Sequence, residues 1–72
     1  MAFRDFAPFT SSNVRSIRYD PDTSTLQVGF HNGGVYEYFG VPERVAADFE
    51  RAGSKGTFLA EHIKGHYRYS RV

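Results

Sequence analysis

The chain has 72 residues, with seven Phe, five Tyr, no Cys and no Trp. Nine Lys and Arg stand against eight Asp and Glu, a net charge of +1. These figures confine it to one small domain without disulfides or thiolate metal sites, and they exclude a highly charged disordered chain.

Residues 1–12 read as a lead-in segment ahead of the domain proper, residues 13–72. Phe3, Phe6 and Phe9 recur at every third position, Pro8 interrupts any helix, and Thr10-Ser11-Ser12 marks a loop. These phenylalanines either drape over the domain or leave the segment mobile. No hydrophobic run follows the first charges, and apolar runs reach only two or three residues. Neither a signal peptide nor a membrane span is expected, and the expected location is the cytoplasm.

From Asn13 the pattern has period two. Ile17 and Tyr19 share one face, and Val14, Ser16 and Arg18 share the other. Asp20-Pro21-Asp22-Thr23 ends this strand in a turn, with Pro fixing φ. Leu26, Val28 and Phe30 alternate in the next strand, and Asn32-Gly33-Gly34 forms a hairpin loop. Val35-Tyr36-Glu37-Tyr38-Phe39 is the third strand. A two-residue turn would set Glu37 beside Val28 and Phe30, where an unpaired carboxylate is costly. A three-residue loop instead places Tyr36 and Tyr38 on that face and turns Glu37 outward, and this register is expected.

Pro42 opens a helix that carries Val45, Ala46, Phe49 and Ala52 at helical spacing and ends at Gly53. A second short helix starts at Ser54, with Phe58, Leu59, His62 and Ile63 as its apolar stripe and Gly65 as its stop. The tail His66–Val72 alternates and is a candidate edge strand. The expected fold is α+β: a three-stranded antiparallel meander, two short helices packed on one sheet face, and that C-terminal strand. The opposite face would carry Arg18, Gln27, His31, Glu37 and Phe39. Tyr19, Phe30, Tyr36, Tyr38, Phe49 and Phe58 are the expected aromatic core.

Catalytic signatures are weak. His62 and His66 have an H-x3-H spacing, but no cysteine accompanies them and Gly65 interrupts the helix that would align them. Gly53-Ser54-Lys55-Gly56-Thr57 departs from the phosphate-loop pattern because its lysine precedes the second glycine. Ser54 as a helix cap beside Lys55 leaves a generic anion site. No nucleophile elbow occurs, and the carboxylates fall in a turn or on a helix exterior. The expectation is a chain that is not an enzyme and needs no metal or other cofactor.

Charge distribution is more informative. From Gly53 to Val72, Lys55, Lys64, Arg68 and Arg71 face one acid, Glu61, and alternate with Tyr67 and Tyr69. Cations meet phosphates and aromatic faces stack on bases, so this tail suits RNA. The candidate nucleic-acid contacts are Lys55, Lys64, Tyr67, Arg68, Tyr69 and Arg71. A protein partner is the alternative, using Val35 and Phe39 on the outer sheet face with Phe3, Phe6 and Phe9. An apolar outer face with a buried tail would favour the protein; one basic stripe along tail and second helix would favour RNA. Oligomeric state leaves no mark in the sequence.

Tyr19-Asp20-Pro21, Leu26-x-Val28-x-Phe30-x-Asn32-Gly33-Gly34, Tyr36-x-Tyr38, Val41-Pro42, Ser54-x-Gly56-x-Phe58 and Ile63-x3-Tyr67-x-Tyr69 form an ordered set. From about Asn13 to Arg71 this set resembles the KTSC domain, with Tyr36 and Tyr38 as the family's central Y-x-Y. Such domains occur as a C-terminal appendage of some lysyl-tRNA synthetases and as stand-alone bacterial proteins. The resemblance implies an RNA-binding role from that company, and it supplies no catalytic residue and no cofactor.

Overall fold

The computed structural model describes residues 2–72. One antiparallel sheet has five strands in chain order: β1 (Arg4–Asp5), β2 (Val14–Asp20), β3 (Thr25–Phe30), β4 (Val35–Phe39) and β5 (Arg68–Arg71). Between β4 and β5 the chain crosses one sheet face as α1 (Glu43–Arg51) and α2 (Lys55–Phe58), the latter continuing into a π-helical turn at Leu59–Ile63. The α+β class and the helices after the meander agree with expectation. The strand count does not: the lead-in adds β1, and the tail is a full member of the sheet.

The β3–β4 hairpin shows how register is chosen. Val28 pairs with Tyr36 and Leu26 with Tyr38, so both tyrosines face the core side and Glu37 pairs with Gln27 on the other side. The loop is three residues, but it is His31-Asn32-Gly33 rather than Asn32-Gly33-Gly34. Phe30 N–H donates to Gly34 O at 2.8 Å, which keeps Gly34 in the ladder. Gly33 alone takes positive φ, +97°, the single left-handed position that such a loop requires. Asn32 Oδ1 accepts from Gly34 N at 2.9 Å and closes the turn.

Val14 departs from simple alternation. Pairing shifts between Val14 and Ser16, leaving Arg15 as the extra residue of a bulge. The slip returns Val14 to the core face, where it is buried. Strict alternation would have left this valine in water.

The core lies between that face and the helices. Tyr19, Leu26, Val28, Phe49, Val41, Leu59 and Ile63 are all buried. Among the expected core aromatics, Tyr19, Tyr38 and Phe49 are buried, while Phe30, Tyr36 and Phe58 pack against the core from partly exposed positions. Tyr19 is completely enclosed, and burial raises its pKa. Its protonated phenol donates to Val41 O at 2.6 Å, where the chain turns from β4 into α1.

The lead-in is fastened on both sides of the sheet. Phe6 packs edge-on against Phe49, Phe9 leans on the core, and Phe3 lies beneath the Arg18 guanidinium on the outer face. Glu50 of α1 clamps the segment: its carboxylate accepts from Ala7 N at 2.8 Å and lies 3.4 Å from Arg4 Nη1. The Ala7 hydrogen bond and then Arg4 hold the Glu50 carboxyl below its ordinary value of 4.5, against an opposing push from partial burial.

On the outer face, one row crosses the sheet as Asp5, Arg18, Gln27, Glu37 and Ser70, each opposite the next. Arg18 Nε is 3.4 Å from Asp5, Arg18 donates to Gln27 at 3.3 Å, and Gln27 donates to Glu37 at 3.1 Å. Donor and acceptor alternate along this row, so the face is a hydrated polar ladder flanked by Phe3 and Phe39. Phe39 is 40% exposed, on the outer side as expected.

Two outcomes follow for stability. Tyr19→Phe leaves the Val41 carbonyl unpaired and should cost about 1–2 kcal/mol, read as a fall in Tm of about 5–10 °C. Glu50→Ala should release the lead-in at a cost of about 1 kcal/mol at neutral pH. Because the folded carboxyl titrates below its unfolded value, that contribution is present above pH 4.5 and lost as pH falls through the lowered folded value. The Tm gap between wild type and Glu50→Ala should therefore narrow in acid; a constant gap would refute the clamp.

Candidate functional site

Burial falls off across the core face from β2 to β5. Tyr19, Leu26 and Val28 are fully covered, Tyr38 is 4% exposed, and Tyr69 is 63% exposed. The helical layer ends before it reaches the β4–β5 edge, and a groove of about 510 Å³ opens there. Phe30, Tyr36, Tyr38 and Tyr69 line it together with Asn32, Lys64 and Gly65.

Strand pairing assembles the floor. Tyr38 lies opposite Tyr69, and Tyr36 lies opposite Arg71. The Tyr69 ring stands 5.9 Å from both Tyr36 and Tyr38, and Phe30 meets Tyr36 edge-on at 5.8 Å. The four rings form one continuous aromatic surface, open at Tyr69. Burial, with Tyr36 and Tyr69 as neighbours, raises the Tyr38 pKa, so its phenol stays protonated. At the wall, the chain leaves the π-helical turn through Gly65, whose φ of +80° bends it back toward β5.

Two cations are held over this floor. Lys64 Nζ sits 5.6 Å from the Phe30 ring centroid, and Arg71 Cζ sits 5.9 Å from that of Tyr36. Ring faces attract cations, which keeps both charges beside the groove. No carboxylate lines it among the described residues.

The six sequence-selected residues separate in space. Lys64 and Tyr69 line the groove, and Arg71 stands beside it over Tyr36. Arg68 is exposed but lies opposite Phe39, on the other side of the sheet. Tyr67 packs partly buried against the core. Lys55 lies away from the groove and is 8% exposed. Its ammonium donates to Ala52 O at 2.6 Å and sits 5.3 Å from the Phe9 ring centroid. Ala52 is the C-cap of α1, so Lys55 neutralises the negative end of that helix from inside the domain. Ser54 does cap α2, accepting from Thr57 N at 3.3 Å. No basic stripe runs from α2 into the tail.

The motif tyrosines belong to the site. Tyr38 is both core and groove floor, and Tyr36 is half-buried in the groove. Sequence reasoning does not pick out Phe30 and Asn32 as site residues; the Asn-Gly turn is visible in sequence, but the groove it borders exists only once β5 brings Tyr69 beside Tyr36 and Tyr38. The histidines do not gather. His31 contacts Ser11 O at 3.0 Å, His62 packs on Phe58, and His66 is exposed. Among the described residues, no three His, Asp or Glu side chains are grouped to hold a metal.

Fold and groove describe a small α+β module with an aromatic, cation-flanked sheet edge. The chain belongs to the KTSC domain family, which matches residues 10–67. It is 39% identical over 61 residues to a lysine–tRNA ligase of Nostoc sp., covering 85% of this chain and 11% of that enzyme. The chain thus spans about a ninth of the length of the ligases it matches. An uncharacterized protein of Stutzerimonas stutzeri is 40% identical over 63 residues, covering 86% of this chain and 89% of that protein. The crystal structure of a KTSC domain protein from Yersinia pestis has a TM-score of 0.91 and 41% identity, covering 99% of each chain.

Replacing Lys55 by Met removes the charged donor at Ala52 while keeping most of the buried stem. A stability loss of about 1–2 kcal/mol is expected, measured by thermal or urea unfolding. An unchanged Tm would show that the ammonium contributes nothing to the fold.

Proposed function

We propose that this chain is a non-catalytic RNA-binding module and that the β4–β5 groove is its binding surface. The observation that carries the proposal is an aromatic floor with Lys64 on its wall and Arg71 beside it. Lys64 and Arg71 stand over Phe30 and Tyr36, and among the described residues no carboxylate lines the groove. Flat rings accept base faces, and fixed cations accept phosphates. The kinship with lysine–tRNA ligases supports the same reading, since those enzymes are named for a tRNA substrate.

Of the features set out for a protein partner, Phe6 and Phe9 pack inward and Phe3 lies under Arg18, while Phe39 stays exposed at the margin of an outer face that carries the polar ladder. No helix among the described residues is long and apolar enough to cross a membrane.

The test is titration of labelled RNA at several salt concentrations. Affinity should fall with salt, and each of Lys64→Ala and Arg71→Ala should flatten the log–log slope by about 0.7, the value for one phosphate contact on a single strand. Lys55→Met should leave slope and affinity unchanged. Absence of binding at low salt would end the proposal.

A further inference from the structure

We infer that the groove seats one unpaired nucleotide of an RNA strand, its base on Tyr69 and Tyr36 and its flanking phosphates on Lys64 and Arg71. This rests on the RNA-binding proposal and adds the form of RNA that fits. The most exposed ring of the floor is Tyr69, 63% exposed, with Tyr36 and Tyr38 each 5.9 Å from it on the same sheet face. An incoming base can cover Tyr69 only if its own face is free. Inside a duplex both faces are covered by neighbouring bases, so an internal paired base cannot make this contact without leaving its stack.

Cation placement sets the path of the strand. Lys64 stands over Phe30, whereas Arg71 stands over Tyr36 and reaches toward Gly34. The two charges therefore sit on neighbouring rings at the Phe30–Gly34 end of the floor, beside the open Tyr69. A base stacked on Tyr69 and Tyr36 brings the phosphates on either side of it toward Lys64 and Arg71. A volume of about 510 Å³ lies in the usual range for ligand clefts.

Asn32 supplies polarity at the rim. Its Oδ1 is taken by the Gly34 N–H, which fixes the amide and leaves Nδ2 to donate. A base edge that offers a carbonyl oxygen or ring-nitrogen acceptor matches it. An acidic peptide shares the attraction to Lys64 and Arg71, but it brings no flat face for Tyr69.

The experiment compares a labelled single-stranded RNA of about ten nucleotides, within the usual range of single-strand site sizes, with the same RNA annealed to its complement. The full chain is used at low salt. The single strand should bind at least about tenfold more tightly, and Tyr69→Ala should lose about tenfold on the single strand only. Tyr69→Phe, which keeps a stacking face, should retain most of the affinity. Because the chain has no Trp, its intrinsic emission comes from tyrosine, and it should be quenched by the single strand. Equal affinity for both forms, or full affinity in Tyr69→Ala, would overturn the seated base while leaving RNA binding intact. Binding of neither form would overturn the underlying proposal as well. Displacement of bound RNA by poly-glutamate as effectively as by unlabelled RNA would assign the groove to an acidic protein segment instead.

Discussion

Two short helices do not cover five strands, and most of what distinguishes this domain follows from that mismatch. Adjacent strands lie ~4.8 Å apart, so the sheet is roughly 19 Å wide. The helical layer comprises α1 of nine residues and an α2–π segment of similar length. It is seated over β2 and β3, where Tyr19, Leu26 and Val28 are sealed. On one side the shortfall is made up by the lead-in, which brings Phe6 to Phe49 and is held by Glu50. On the other side nothing makes it up. The core face emerges into solvent still carrying tyrosines, and that emergence is the groove.

Tyrosine suits such a boundary. Its ring can pack as core on one side and remain wettable at the hydroxyl on the other. Tyr38 is enclosed, Tyr36 is half-covered and Tyr69 is open, so one residue type grades from structure to site. The alternation that places Tyr36 and Tyr38 inward for stability also places Tyr69 and Arg71 beside them, because β5 pairs with β4 in matching phase.

The legible parts of the fold were those encoded locally. Asp20-Pro21 and Asn32-Gly33 mark turns by their own chemistry, and Glu37 fixes the hairpin face because a carboxylate resists burial. The class of fold and the family were readable from these signals. Arg4-Asp5 gave no sign of a strand: two polar residues have no period, and their placement depends on Phe6 and on Glu50, far along the chain. The bulge at Arg15 is equally silent, since it is visible only as Val14 on the unexpected side. Lys55 misled for a related reason. A lysine beside a helix cap reads as solvated, and only the approach of the α1 carboxyl end turns it into an internal cap. The tail's basic tyrosine character was plain, but which residues share a side required the register of β5, and this separates Arg68 from Arg71.

The outer edge of β5 has a consequence for self-association. Its four residues are all exposed, and the opposite boundary strand, β1, is only two residues long. The free backbone of β5 is thus the longer surface on which another strand could add to this sheet. Arg68 and Arg71 project from it on opposite faces. Charged side chains on an exposed edge disfavour the addition of a further strand, and here the arginines supply them. The longer free edge of this sheet is therefore also a charged one, which sets it apart from the flat apolar edges on which strands add most readily.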